Sequence, residues 1–178
     1  MGVNLRFIVK GYLTETKLAE IISALAPTGF TSQYKLDGFN YRWDFKYETP
    51  SERVLVEYDG DEHYRNTTVI RVDRAKAKLA SERGFRSLSF PYWLQLDSFT
   101  LNHFFGFDAE IVQDFPHGFI TTKLFPASFC ELGVARFQEE FSRLPGRLQQ
   151  AVLKSLQERA DEYGLEYVLP TVLRTLLA

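Results

Sequence analysis

Cysteine is almost missing from this chain: Cys130 is the only one among 178 residues. That excludes an intramolecular disulfide framework and a cysteine-ligated zinc centre, and a reducing, cytoplasmic setting is expected. Charges interrupt every apolar run well before ~18 residues, so no membrane-spanning helix is expected. The segment from Met1 to Glu15 has no basic start followed by a long apolar stretch, so a secretory leader is not expected either. Absent too are a GxxxxGK phosphate loop, a GxSxG elbow and an HExxH helix. There is no surplus of positive charge: 21 Lys+Arg stand against 23 Asp+Glu, a net charge of −2. A nucleic-acid binder is ordinarily basic, so this balance argues against such a partner at first sight.

What is present is enough for a core. Hydrophobic residues make up 45% and aromatics 15%, which suits one compact domain. Leu18, Ile21, Ile22 and Leu25 recur at helical spacing after Thr14, a suitable N-cap, and Pro27 to Gly29 end that helix. The period then changes. Tyr41, Trp43, Phe45 and Tyr47 alternate with Arg42, Asp44 and Lys46, and are expected on one face of a strand. Residues 53–60 alternate again, with Val54, Val56 and Tyr58 on one face and Leu55, Glu57 and Asp59 on the other. The short turn between these strands predicts a hairpin. A helix over about 71–83, stopped by Gly84, and a third strand over 85–90, ended by Pro91, complete the pattern. Residues 1–95 therefore read as the core of an α/β (α+β) fold with one mixed sheet flanked by helices. Residues 96–135 are rich in phenylalanine, including Phe115, and read as an irregular layer packed on that core. Residues 136–178 form a C-terminal helical extension, with Leu148, Val152, Leu156 and Ala160 on one stripe.

The carboxylates on the two strands carry the chemistry. Glu57 and Asp59 are two apart and share a face; if the hairpin aligns that face with Asp44, three carboxylates converge. Converged carboxylates raise one another's pKa unless a cation neutralises them. Hard oxygen ligands of this kind suit Mg2+, with Mn2+ as a substitute. The plainer alternative is a solvated face on which they pair with Arg42, Lys46 and Arg53.

The ordered set resembles a known family. Asp44, then Glu57-Tyr58-Asp59-Gly60 with His63, then Asp73 and Lys76, Gly84 and the strand Leu88 to Phe90 are similar to the PD-(D/E)xK nuclease superfamily. The closest resemblance is to its very-short-patch-repair-like and small restriction-type branch. It covers roughly residues 12–92. The resemblance implies a PD-(D/E)xK-type fold and a Mg2+-dependent DNA endonuclease. Asp44 would bridge the metal, Glu57 would be the second ligand, Asp59 would assist, and Glu15 would support the site from the first helix. His63 would act as general acid or phosphate contact. Asp59 departs from the pattern, because it stands where a catalytic lysine is usual. Lys76 and Lys46 are the two candidates to replace that lysine. Asp73 is expected only to cap its helix.

Residues 65–86 hold seven basic and two acidic side chains, a local surplus of five. Arg65, Arg71, Arg74 and Lys78 are the expected contacts to the phosphates of double-stranded DNA, with 71, 74 and 78 on one helical face. Three scattered histidines (63, 103 and 117) argue against an HNH-type nuclease. His117 and Lys123 lie in an aromatic loop that either reads bases or packs. Double-strand cleavage would require a homodimer or a second nuclease or recognition subunit. The competing readings are a non-catalytic DNA-binding module on a nuclease fold, a structural subunit of a larger complex, and a nuclease directed at RNA.

Overall fold

The computed structural model describes residues 5–26, 28–113 and 117–177, so Pro27 and Phe115 lie outside the described residues. The chain is α+β, and its central sheet has four strands in the order β2 (Thr31–Lys35), β3 (Arg42–Glu48), β4 (Arg53–Asp59) and β5 (Arg86–Pro91). The first three are antiparallel, and β4 pairs with β5 in parallel. A parallel pair needs a crossover, and α2 (Glu62–Arg65) with α3 (Thr67–Glu82) supplies it. Four consecutive residues of β4, Val54 to Glu57, are buried, which marks a central strand covered on both faces.

Val54, Val56, Phe45 and Tyr47 join the larger core with Leu18, Ile21 and Ile22 of α1 (Glu15–Leu25). Leu55 faces the other way, into a smaller core with Leu79 and Ala80 of α3. Trp43 belongs to that second core, not to the face of Phe45 and Tyr47. The strand thus changes face at Asp44, and the single aromatic face expected for 41–47 does not form. The β3–β4 register runs from Glu48↔Arg53 to Phe45↔Val56 and goes no further. Beyond that point the Asp44 carboxylate accepts the Tyr58 backbone N–H at 2.6 Å. A side chain there does the work of a ladder rung.

Thr14 caps α1 as its sequence predicts, accepting the Lys17 N–H. The helix expected over 71–83 starts earlier, at Thr67, because Asn66 accepts the N–H groups of Thr68 and Val69. The segment 96–135 is more ordered than a loop layer. It contains α4 (Ser98–Phe105), capped by Asp97 and closed by Gly106 at φ +73°, and β6 (Glu110–Gln113). β6 pairs in parallel with β1 (Arg6–Val9), a small sheet that the sequence reading lacks. The C-terminal extension comprises α5 (Glu131–Arg143), α6 (Gly146–Tyr163), α7 (Leu165–Val168) and a 3-10 helix over Thr171–Leu177. Leu148, Val152 and Leu156 of the expected stripe are buried. Among the described residues, no helix is long and apolar enough to cross a membrane.

Candidate functional site

Two adjoining groups of ionisable side chains meet where β3 and β4 part. The first is Glu15, Asp44, Glu57 and Lys76. Asp44 is held by the Tyr58 N–H, and Glu15 by Gln33, whose Nε2 donates to Glu15 Oε1 at 2.9 Å. Gln33 stands at φ 51°, so β2 is itself distorted next to the parting strands. Lys76 Nζ forms an ion pair with Glu57 Oε1, and both side chains are about nine-tenths buried. The ammonium also lies 5.5 Å above the Trp43 ring. The face change at Asp44 is what brings that ring to Lys76.

The electrostatics follow from burial. Desolvation and the Asp44 charge push Glu57 up to about 8, although Lys76 opposes them. Burial likewise raises Asp44, against the Tyr58 hydrogen bond and Lys76. Burial and Asp44 raise Glu15. Asp44 is the link between them: its charge raises both Glu57 and Glu15, while Lys76 opposes the shift at Glu57 and Asp44. Glu15, Asp44 and Glu57 are hard oxygen donors of the kind Mg2+ takes, but among the described residues the one trio with ligand atoms within 4.8 Å of one another is Asp59, His63 and Asp73. The plainer alternative of a solvated face does not hold, since Glu57 is 7% exposed and Asp59 fully buried.

The second group is Asp59, His63, Asp73 and Arg136. Asp59 is paired outside the first group, although its charge still reaches Glu57: its Oδ2 takes a hydrogen bond from Arg136 Nη2. Burial raises Asp59 to about 6 even against that guanidinium. Asp73 is not a helix cap. It sits in the second turn of α3, with Oδ2 at 2.7 Å from both His63 Nδ1 and Arg136 Nη1. Burial opposes charge on both Asp73 and His63, but their contact prevails: His63 is raised and Asp73 lowered. With Nδ1 so engaged, Nε2 is the remaining ring nitrogen of His63, a residue that also lines an adjoining cavity of about 390 Å3. That cavity is also lined by Glu15, Tyr12, Tyr58, Tyr92 and Lys123.

Of the two candidate lysines, only Lys76 reaches Glu57. Lys46 is paired with Glu48 at 2.7 Å and lies over Tyr34. Arg65 is engaged by Asp61 and Glu62. Arg71, Arg74 and Lys78 are exposed on α3, on the side roughly 140–160° around the helix from Lys76. The basic stripe therefore looks away from the carboxylates. His117 is a packing residue, 1% exposed, held between the Tyr92 carbonyl and Gln113. Sequence reasoning missed Arg136, which lies well beyond the resembling segment, itself ending near residue 92. An arginine among the apolar positions of α5 was the one available signal. Comparisons with protein-family models, with curated proteins and with solved structures return no match.

Proposed function

We propose that the chain is a metal-dependent endodeoxyribonuclease of the PD-(D/E)xK type, acting in the cytoplasm on double-stranded DNA. The observation that supports this reading is the buried Glu57–Lys76 ion pair at the point where β3 and β4 part, with Asp44 near enough to raise both Glu57 and Glu15. Asp44 and Glu57 would hold the ion, with Glu15 drawn in from α1. A bound Mg2+ supplies charge neutralisation at a phosphoryl oxygen and a more acidic water.

The remaining work falls to the chain. The Tyr58 N–H and Gln33 fix the two carboxylates that flank the parted strands. Lys76 takes the part of the lysine that Asp59 replaces. Its ammonium, positioned by Glu57, faces the attacking water and the developing phosphoryl charge. His63, backed by Asp73, offers a proton at Nε2 to the departing oxygen. One such site cuts one strand, so a duplex break requires a second copy or a second subunit.

Supercoiled plasmid incubated with the purified protein and Mg2+ tests the reading. Nicked or linear product that Glu57→Gln abolishes supports it. Intact plasmid at all Mg2+ and Mn2+ concentrations would sink it. A catalytically silent DNA-binding module is the second reading. The pairing of Asp59 with Arg136 favours it, because it removes the usual lysine position from the site. Retained DNA binding without nicking would establish that alternative.

A further inference from the structure

Helix α5 approaches α2 more closely than most residues permit. A Cβ at Gly133 would lie 1.8 Å from the Tyr64 carbonyl oxygen, so only glycine fits. The same carbonyl accepts the Cys130 N–H at 3.0 Å, and the Tyr64 hydroxyl donates to Glu140. This contact carries Arg136 into the interior, where it is 9% exposed. Its guanidinium donates to Asp59, to Asp73 at 2.7 Å, to Glu140 at 2.7 Å and to the His63 carbonyl at 3.1 Å.

The surroundings are those of a metal ion. One ligand atom each from Asp59, His63 and Asp73 lie within 4.8 Å of one another. Asp59 Oδ1, fully buried, lies 3.2 Å from His63 Nδ1 and has no hydrogen-bond partner among the described residues. A planar fork that donates to two carboxylates at once supplies the positive charge such a cluster requires. Nothing else cationic reaches both Asp59 and Asp73 among the described residues, apart from His63 itself.

We propose that Arg136 is a resident cation, standing where a divalent ion would otherwise sit among Asp59, His63 and Asp73, and that α5 thereby positions His63 beside the Asp44–Glu57 site. The first half is independent of the nuclease reading, and the second rests on it. It follows that the site takes one divalent ion, not two, and that α5 completes the site. Arg136 is a positioning residue, since it acts through His63.

The test counts Mn2+ ions per chain by paramagnetic resonance in the full-length protein. Arg136→Met is expected to hold one ion more than wild type, and Arg136→Met/Asp73→Asn to lose that extra ion. No gain in Arg136→Met overturns the proposal. Asp73→Asn alone decides the matter should Arg136→Met not fold. It should leave the wild-type count unchanged, and a lost ion would show that a metal already sits there. Cleavage kinetics address the second half. Arg136→Met is expected to lower kcat at least tenfold, with KM and Mn2+ affinity at Glu57 within twofold of wild type. Arg136→Lys should restore the wild-type ion count but not kcat. An unchanged kcat in Arg136→Met rejects the positioning role. A wild type that neither cleaves DNA nor binds Mn2+ through Glu57 counts against the nuclease reading, and the ion count still decides the resident cation.

Discussion

The carboxylate of Asp44 accepts the backbone N–H of Tyr58 at 2.6 Å, in the place where the β3–β4 ladder has stopped. The same oxygen atoms are therefore both structural and chemical, and two substitutions separate the roles. Asn keeps an acceptor for Tyr58 but removes the charge. Asp44→Asn is expected to retain stability within ~1 kcal/mol. Its Mn2+ affinity should fall at least ~100-fold, more than the loss of an outer-shell partner costs. Asp44→Ala should add a stability loss of ~1–3 kcal/mol for the orphaned N–H. Urea denaturation with Mn2+ calorimetry on both variants checks this. Equal stability in the two would remove the structural role.

Glu57 titrates at about 8 in the fold and near 4.5 when free. Between those values the folded chain keeps a proton that the unfolded chain has released. Metal-free stability should therefore fall as pH rises through that window. The Glu57 share is at most ~5 kcal/mol. Asp44 and Glu15 shift in the same direction and add to the slope. Glu57→Gln should flatten the largest part of it. Because an ion must displace the Glu57 proton, Mn2+ affinity should rise by up to about tenfold per pH unit to pH 8, then level. Denaturant titrations and calorimetry from pH 5 to 9 provide the measurement. A slope identical in Glu57→Gln would assign the proton elsewhere.

His117 predicts the opposite trend at lower pH. Burial holds it down at about 4, from an ordinary 6.5. Leu13 N–H and Gln113 Nε2 both face its Nε2, so that atom must stay an acceptor. The unfolded chain takes up a proton there first, so stability is lost as pH falls from 6.5 towards 4. The loss should reach ~3 kcal/mol. His117→Asn should be less stable at pH 7 but lose less between pH 6.5 and 4. Parallel curves for the two proteins would refute the assignment.

The exposed stripe of Arg71, Arg74 and Lys78 makes a separate prediction. Because the stripe faces away from Lys76, a duplex seated over the carboxylates should not touch it, and alanine at each position should leave the slope of log affinity for duplex DNA against log salt unchanged. Mn2+ affinity should not change either. Fluorescence anisotropy at several salt concentrations measures this. A slope lowered by about 0.9 per alanine would place phosphate contacts on the stripe and count against a duplex bound over the carboxylates.

The parts of this molecule that sequence reasoning reached are those with local signals. Thr14, the alternation in β3 and β4, and Gly84 each announce an element within a few residues. The Asp44, Glu57 and Lys76 set was reached too, because the hairpin and its crossover are short. The strands β1, β2 and β6 were not. β2 (Thr-Ser-Gln-Tyr-Lys) is an edge strand with polar, exposed side chains, and β1 and β6 are four residues each. Their pairing is fixed by tertiary packing. α4 did have signals, Asp97 and Gly106, but its apolar run (Phe99, Leu101, Phe104, Phe105) has no clear polar face. Arg136 escaped because its meaning depends on a glycine, Gly133, that lets one backbone touch another.

The pairing of β1 with β6 has a consequence for the order in which the chain is made. Arg6 leads into the helix that bears Glu15, yet its strand partner is Glu110. At synthesis rates of 5–20 residues per second, that partner follows roughly 5–20 s later. During that interval the first strand has no edge to join, although α1 can already pack on β3 and β4 and Gln33 can already hold Glu15. A ribosome-bound nascent chain should therefore lack the β1–β6 sheet, and α5 with Arg136 arrives later still. Assembly of the site is then a late event in the life of each molecule, timed by the ribosome.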